Sequence, residues 1–286
     1  MCKIIDCKSI AEKILFSIGE EVRTMASSPC LVSIIVGNDK ASRIYVNNKH
    51  KTCEKCGILS KIIELSEETT ENELLDLIEK LNNDKNVNGI LVQLPLPSHI
   101  NPDLVAKTIS IVKDVDCFNP YNIGNYFLNP KKENLLAPCT VKGCEVILDS
   151  LNVDLAGKKA IVLGRSNIVG KPLIPMLLSK NCSVECLHSK SMNLQDELKT
   201  ADIVISAIGK AKFLKKEFLK KDALVVDVGI NRLVDGTVCG DCDLEDVKDI
   251  CSYITPVPNG VGRLTVACLL LNTLLCYKMQ NEIEKF

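Results

Sequence analysis

Seven short apolar runs are spaced along the chain between turns: LVSIIV (31–36), KIIEL (61–65), GILVQL (89–94), AIVLG (160–164), SVECL (183–187), DIVISAIG (202–209) and ALVVDVG (223–229). Runs this short and this apolar predict strands buried on both faces, as in a parallel sheet. Between them the period becomes helical. In TTENELLDLIEKLNND, Leu74, Leu77, Ile78 and Leu81 share one face, and Thr70 with Glu73 makes a capping box at its start. Strand and helix alternating along the whole length predict an α/β architecture. The stretch 118–140, FNPYNIGNYFLNPKKENLLAPCT, is rich in Pro, Asn and Gly without a clear period and reads as loop, which sets a domain boundary near Pro138. A helix over about 141–151 follows, and a last helix over about 265–284 comes after a second loop, TPVPNGVGR. If that helix packs back on the first domain, residues 1–140 plus 265–286 form one α/β domain and 141–264 the second.

The 286 residues suffice for two such domains, and 46% hydrophobic with 25% charged residues is ordinary for a soluble globular protein. A net charge of −1 gives no reason to expect a nucleic-acid or membrane partner. The N-terminus, MCKIIDCKSIAEKIL, lacks the pattern of a signal peptide, and no uninterrupted apolar window reaches the roughly 18 residues of a membrane span, so a cytoplasmic location is expected. Fifteen cysteines change the picture only in part. Many, such as Cys268 and Cys276, lie in apolar runs where a reduced thiol acts as a small hydrophobe. The Cys-x-x-Cys pairs Cys53/Cys56 and Cys239/Cys242 admit a zinc site, but no short linker joins them, so structural thiols and no metal are expected.

Candidate chemistry appears where polar residues interrupt these patterns. In SRIYVNNKHK, Ser42, Tyr45 and Lys49 recur at helical spacing and make a polar stripe, either solvated or turned toward something other than protein. Gln93 sits at the end of a buried-type strand, and Asp114 and Asp116 flank Val115 after the apolar stretch TISIV. Side chains at the carboxyl ends of parallel strands point into the crevice where ligands bind. Downstream, KKAIVLGRSNIVGKPL reads as strand, glycine turn and helix. Gly164 closes the strand, Gly170 permits close approach, and Pro172 suits a first helical turn, although the usual G-x-G-x-x-G is absent. An ordinary tight turn would look similar. After the next strand, SVECLHSKS carries no carboxylate for a ribose 2′-hydroxyl. Arg165, Ser189 and Lys190 supply donors and positive charge instead, which leans toward NADP over NAD, and Ser166 stands with Arg165 where further glycine might be expected.

Eight segments in order carry a resemblance over essentially the whole chain: SRIYVNNKHK, GILVQLPLP, KDVDCFNPYNIG, PCTVKG, GRSNIVGKP, HSKS, VVDVGIN and TPVPNGVGRLTVA. The sequence resembles the bifunctional methylenetetrahydrofolate dehydrogenase/methenyltetrahydrofolate cyclohydrolase family. The resemblance implies two α/β domains with an active-site cleft between them, the second Rossmann-like, and a homodimer. It also implies NADP-dependent oxidation of 5,10-methylenetetrahydrofolate to the methenyl form, followed by hydrolysis to 10-formyltetrahydrofolate. Lys49 would transfer the proton of the hydrolysis, Gln93 would hold its amine, Tyr45 would offer a stacking face, Asp116 would accept from the pterin, and Ser42 would support them. Pro258, Asn259 and Gly260 would meet the folate, and Ile230 would join Gly164, Arg165, Ser166, Gly170, Ser189 and Lys190 at the cofactor. A lysine moves protons near neutral pH only when desolvation or nearby positive charge depresses its pKa.

The chain departs from the family pattern at several positions. Cys117 and Asn259 stand where glycine is usual, and Arg263 and Val141 where proline is. If the usual glycine at 259 has positive φ, asparagine is among the better substitutes because it tolerates the left-handed region, whereas Cys117 is expected to crowd Asp116. The competing readings are a dehydrogenase-only or NAD-preferring relative and, in a different class, a non-catalytic nucleotide-binding or thiol/zinc protein.

Overall fold

The fold is that of a computed structural model, which describes residues 2–283, and at 40, 41, 282 and 283 the backbone alone. The first half of the chain runs β1 (Lys3–Ile4), α1 (Cys7–Arg23), β2 (Cys30–Val36), α2 (Lys40–Lys55), β3 (Leu59–Leu65), α3 (Glu71–Asn83), β4 (Gly89–Val92), α4 (Pro102–Thr108), α5 (Pro120–Leu128) and α6 (Cys139–Ser150). The second half runs β5 (Lys159–Leu163), α7 (Gly170–Ser179), β6 (Ser183–Leu187), α8 (Leu194–Leu198), β7 (Ile203–Ser206), β8 (Leu224–Asp227), β9 (Asn231–Arg232), β10 (Val238–Cys239), α9 (Leu244–Val247), β11 (Tyr253–Ile254) and α10 (Val261–Ile283).

Contacts divide the chain into two compact units, both α/β. The unit formed by Lys13–Tyr126, Glu133–Cys139 and the chain from Val266 onward is built on a parallel sheet in the order β3-β2-β4. All seven residues of the central strand β2 are buried, as a strand covered on both faces requires. α3 begins with the expected capping box: Thr70 Oγ1 accepts from Glu73 N, and the Glu73 carboxylate accepts from Thr70 N. The other unit, up to Glu12 with Phe127–Lys132 and Thr140–Thr265, holds a six-stranded sheet in the order β1-β11-β8-β7-β5-β6, parallel at every pairing. The chain leaves β5 for β6 on one side and returns to β7 on the other, so the topological switch lies beside β5.

Two expectations are corrected. The boundary at 1–140 does not hold at its start, because β1 pairs with β11 (Lys3 opposite Tyr253, Ile4 opposite Ile254) and draws the first residues into the six-stranded unit. A two-residue strand carries too little pattern to be read. The stretch 118–140 contains a helix, α5, whose inward residues are Asn122 and Tyr126. A polar residue on the buried face hides the helical period there. The apolar stretch TISIV follows α4, which ends at Thr108 with Val105 and Ile109 buried one turn apart, and an isolated bridge joins Ile90 to Asp114.

By length and composition α10 could cross a membrane, yet Cys268, Leu269, Leu270, Leu274 and Cys276 lie in a hydrophobic core with Leu31, Leu91 and Val115. It is a core helix of its unit.

Candidate active site

α2 presents the polar stripe. Asp39 caps it, accepting from both the backbone N–H and the hydroxyl of Ser42 at 2.8 and 2.7 Å. Ser42 is buried and its hydroxyl is directed at the cap, so it supports the site by fixing the start of the helix. One turn on, Tyr45 is half-buried, and a further turn on Lys49 is only 5% exposed. The Lys49 Nζ lies 5.1 Å from the centroid of the Tyr45 ring and donates to Gln93 Oε1 at 3.1 Å. Gln93 follows β4, its N–H donating to Ile34 O at 2.9 Å. Its own Nε2 donates to Leu94 O at 2.7 Å, which leaves the oxygen end of the amide for the lysine. The peptide bond from Leu94 to Pro95 is cis.

Asp114 and Asp116 do different work. Asp114 is buried and accepts from the N–H groups of Phe118 and Asn119 and from Asn122 Nδ2, at 3.1, 2.9 and 2.9 Å, so it ties the turn into α5. Asp116 belongs with the lysine. Burial pushes its carboxyl up, opposed by the Lys49 ammonium and by the neighbouring Cys139 side chain. Burial also raises the Tyr45 phenol, with Asp116 and Cys139 adding to the effect. Cys117 does not crowd Asp116. It takes the left-handed conformation at φ 58°, and its fully buried side chain turns into the core with Leu31, Leu91 and Leu136. Pattern-reading missed two residues here. Cys139 Sγ donates to Val115 O at 3.2 Å, and Asn272 Nδ2 donates to Val115 O and Ala137 O, both at 2.8 Å. Asn272 is a buried amide in the apolar run VACLLLNTLLC, and that break in the pattern was the available signal.

In the six-stranded unit, Gly164 ends β5 with φ 122°, where a Cβ would overlap the Ala207 carbonyl beyond β7. A Cβ on Gly170 would overlap the carbonyl of Gly164. The two glycines therefore form a turn that no side chain can enter, at the switch point of the sheet. Ser166 Oγ accepts from the N–H groups of Val169 and Gly170, both at 3.2 Å, so its hydroxyl closes this turn. Leu163 pairs with Leu187, which brings residues 164–166 and 188–190 to the same end of neighbouring strands. Arg165, Ser189 and Lys190 are exposed there, with no carboxylate among 188–191. A glycine cradle beside free cationic donors fits a dinucleotide bearing a 2′-phosphate. Ile230, 55% exposed, follows β8. Pro258, Asn259 and Gly260 lie between β11 and α10 after a cis bond at Val257–Pro258, and Asn259 takes a positive φ, at 75°. Its Oδ1 accepts from Arg263 Nε and Nη2 at 3.0 and 2.7 Å, so two of the departures from the family pattern bond to each other.

Among the described residues no three His, Cys, Asp or Glu side chains are grouped to hold a metal ion, and all fifteen cysteines are free thiols.

Two family profiles cover the chain: the catalytic domain of tetrahydrofolate dehydrogenase/cyclohydrolase over residues 5–116, and the NAD(P)-binding domain of the same family over 138–281. A curated relative, the bifunctional protein FolD of Thermodesulfovibrio yellowstonii, is 45% identical over 99% of both chains. The crystal structure of the bifunctional FolD methylenetetrahydrofolate dehydrogenase/cyclohydrolase of Campylobacter jejuni matches with a TM-score of 0.93 and 44% identity, covering 98% of this chain and 99% of that one. The Trypanosoma brucei enzyme, solved with NADP and an inhibitor, matches with a TM-score of 0.92 and 33% identity over 97% and 98%.

Proposed function

The chain belongs to the tetrahydrofolate dehydrogenase/cyclohydrolase family, and on that premise we propose that it oxidises 5,10-methylenetetrahydrofolate with NADP+ and hydrolyses the methenyl product to 10-formyltetrahydrofolate. The observation that carries the residue roles is Lys49, buried on a polar helix stripe, with its amine bonded to an amide rather than to a carboxylate.

NADP+, when bound, supplies the hydride acceptor. Gly164 and Gly170 let the backbone approach its phosphates, Ser166 holds that turn closed, and Arg165, Ser189 and Lys190 receive the 2′-phosphate. Tyr45 offers its ring face to the pterin and Asp116 accepts from the pterin N–H groups. In the hydrolysis, water adds to the methenyl carbon and Lys49 takes one of its protons; the other passes to N5 as the bond from that carbon to N5 breaks and the formyl C=O forms. Gln93 holds the amine in place through its side-chain oxygen, at 3.1 Å. We further propose a homodimer, on the family likeness, and a cytoplasmic location, which the free thiols favour.

The test is an absorbance assay. Methylenetetrahydrofolate with NADP+ should yield the methenyl chromophore, which then decays. Lys49→Met should slow that decay by roughly 10²–10⁴-fold, the usual worth of a general acid–base group. Undiminished hydrolysis in this variant would remove Lys49 from its role.

A further inference from the structure

Behind the glycine turn lies a pair of buried carboxylates that the chemistry above does not use. Asp241 is fully buried just beyond β10, and five donors converge on it. Its Oδ2 accepts from Ser206 Oγ at 3.0 Å, Ile208 N at 2.8 Å and Gly209 N at 3.3 Å. Its Oδ1 accepts from Lys210 N at 2.8 Å and Asn231 Nδ2 at 3.0 Å. Asp227, at the end of β8, accepts from Gly229 N, Asp241 N and Cys242 N at 2.9, 3.0 and 2.8 Å. Cβ atoms on Gly229 and Gly240 would overlap the Asp241 and Asp227 carboxylates respectively, so the chain is glycine where each oxygen must approach.

These bonds fasten two segments that leave the carboxyl ends of adjacent strands, 207–210 after β7 and 228–231 after β8. The first touches the cradle itself, because the Ala207 carbonyl abuts Gly164. The second carries Ile230. Three successive N–H groups aimed at one carboxylate fix a loop far more tightly than water could. We propose that Asp241, with Asp227 behind it, is a positioning residue for the dinucleotide, holding 207–210 and 228–231 in the shape that receives it. This rests on the reading of the glycine turn as the cofactor site.

The experiment measures two activities of one protein. Asp241→Asn keeps the shape but turns an amide N–H toward donors, and Asn231→Ala removes a single bond at a half-buried position. NADP+ KM should rise roughly tenfold or more in Asp241→Asn and severalfold in Asn231→Ala, because small displacements of a binding loop cost that much. Hydrolysis of methenyltetrahydrofolate, which consumes no NADP+, should keep its kcat and KM in both. An unchanged NADP+ KM, or a parallel loss of both activities, overturns the proposal. Should Asp241→Asn fail to fold, Asn231→Ala decides. Wild-type protein that shows no NADP+ reduction at all would sink the cofactor reading itself, a separate result.

Discussion

At the residue scale, a side chain's use depends on which of its atoms are already taken. Gln93 illustrates this: its Nε2 is committed to Leu94 O, so its oxygen faces Lys49. Replacing Gln93 with Leu strands the amine, and since a hydrogen bond to a charged group is worth about 1.5–3 kcal/mol, hydrolysis should fall about 10- to 100-fold in steady-state assays. Cys117 is the opposite case, a departure from the family pattern that the fold absorbs. Its left-handed backbone costs about 1–2 kcal/mol, which glycine would recover, while glycine loses the buried thiol and stiffens nothing in the unfolded chain. Cys117→Gly should therefore shift stability by no more than about 1 kcal/mol in a urea titration and leave both activities intact.

At the element scale, the βα turn at 164–170 is closed to side chains. Packing there is backbone on backbone, with Gly164 against Ala207 and Gly170 against Gly164. A methyl group has nowhere to go. Gly170→Ala should destabilise the unit by about 1–3 kcal/mol, as overpacking does, and should raise the NADP+ dissociation constant in a fluorescence titration while hydrolysis survives. The strand core that supports this turn was legible from the sequence, since all seven apolar runs became strands within a few residues. α5 was not, because Asn122 occupies its buried face and is satisfied there by Ile111 O and Asp114. The partners that make a buried amide acceptable lie about ten residues away, outside any local window.

At the scale of the whole molecule, buried carboxyls set the response to acid. Burial raises Asp114 and Asp227 from the ordinary 3.8 to about 6. Between those values the folded protein binds protons that the unfolded chain has released, so the stability these groups contribute is complete below 3.8 and is lost as pH rises through 6. Carboxyls held low by hydrogen bonds, such as Asp84 and Asp202, act in the opposite sense, and only once pH falls below their ordinary 3.8. The melting temperature should thus rise on acidifying from about pH 7 to 5 and fall below about 4. In a pH series of thermal melts, Asp114→Asn and Asp227→Asn should each flatten the upper slope. An unaltered slope would remove that carboxyl from the account.

The sequence alone determined the α/β class, the strands, the glycine turn and the polar stripe of α2, because each rests on periodicity or on a residue type needed at one place in the chain. It also carried the family and, through it, the candidate residues. Only the tertiary structure separated Asp116 from Asp114, turned Ser42 to its cap, sent Cys117 into the core, brought Cys139 and Asn272 to the site, and joined Asp227 to Asp241. Those roles are set by which donors and acceptors meet across tens or hundreds of residues, and no stretch of chain records its partners.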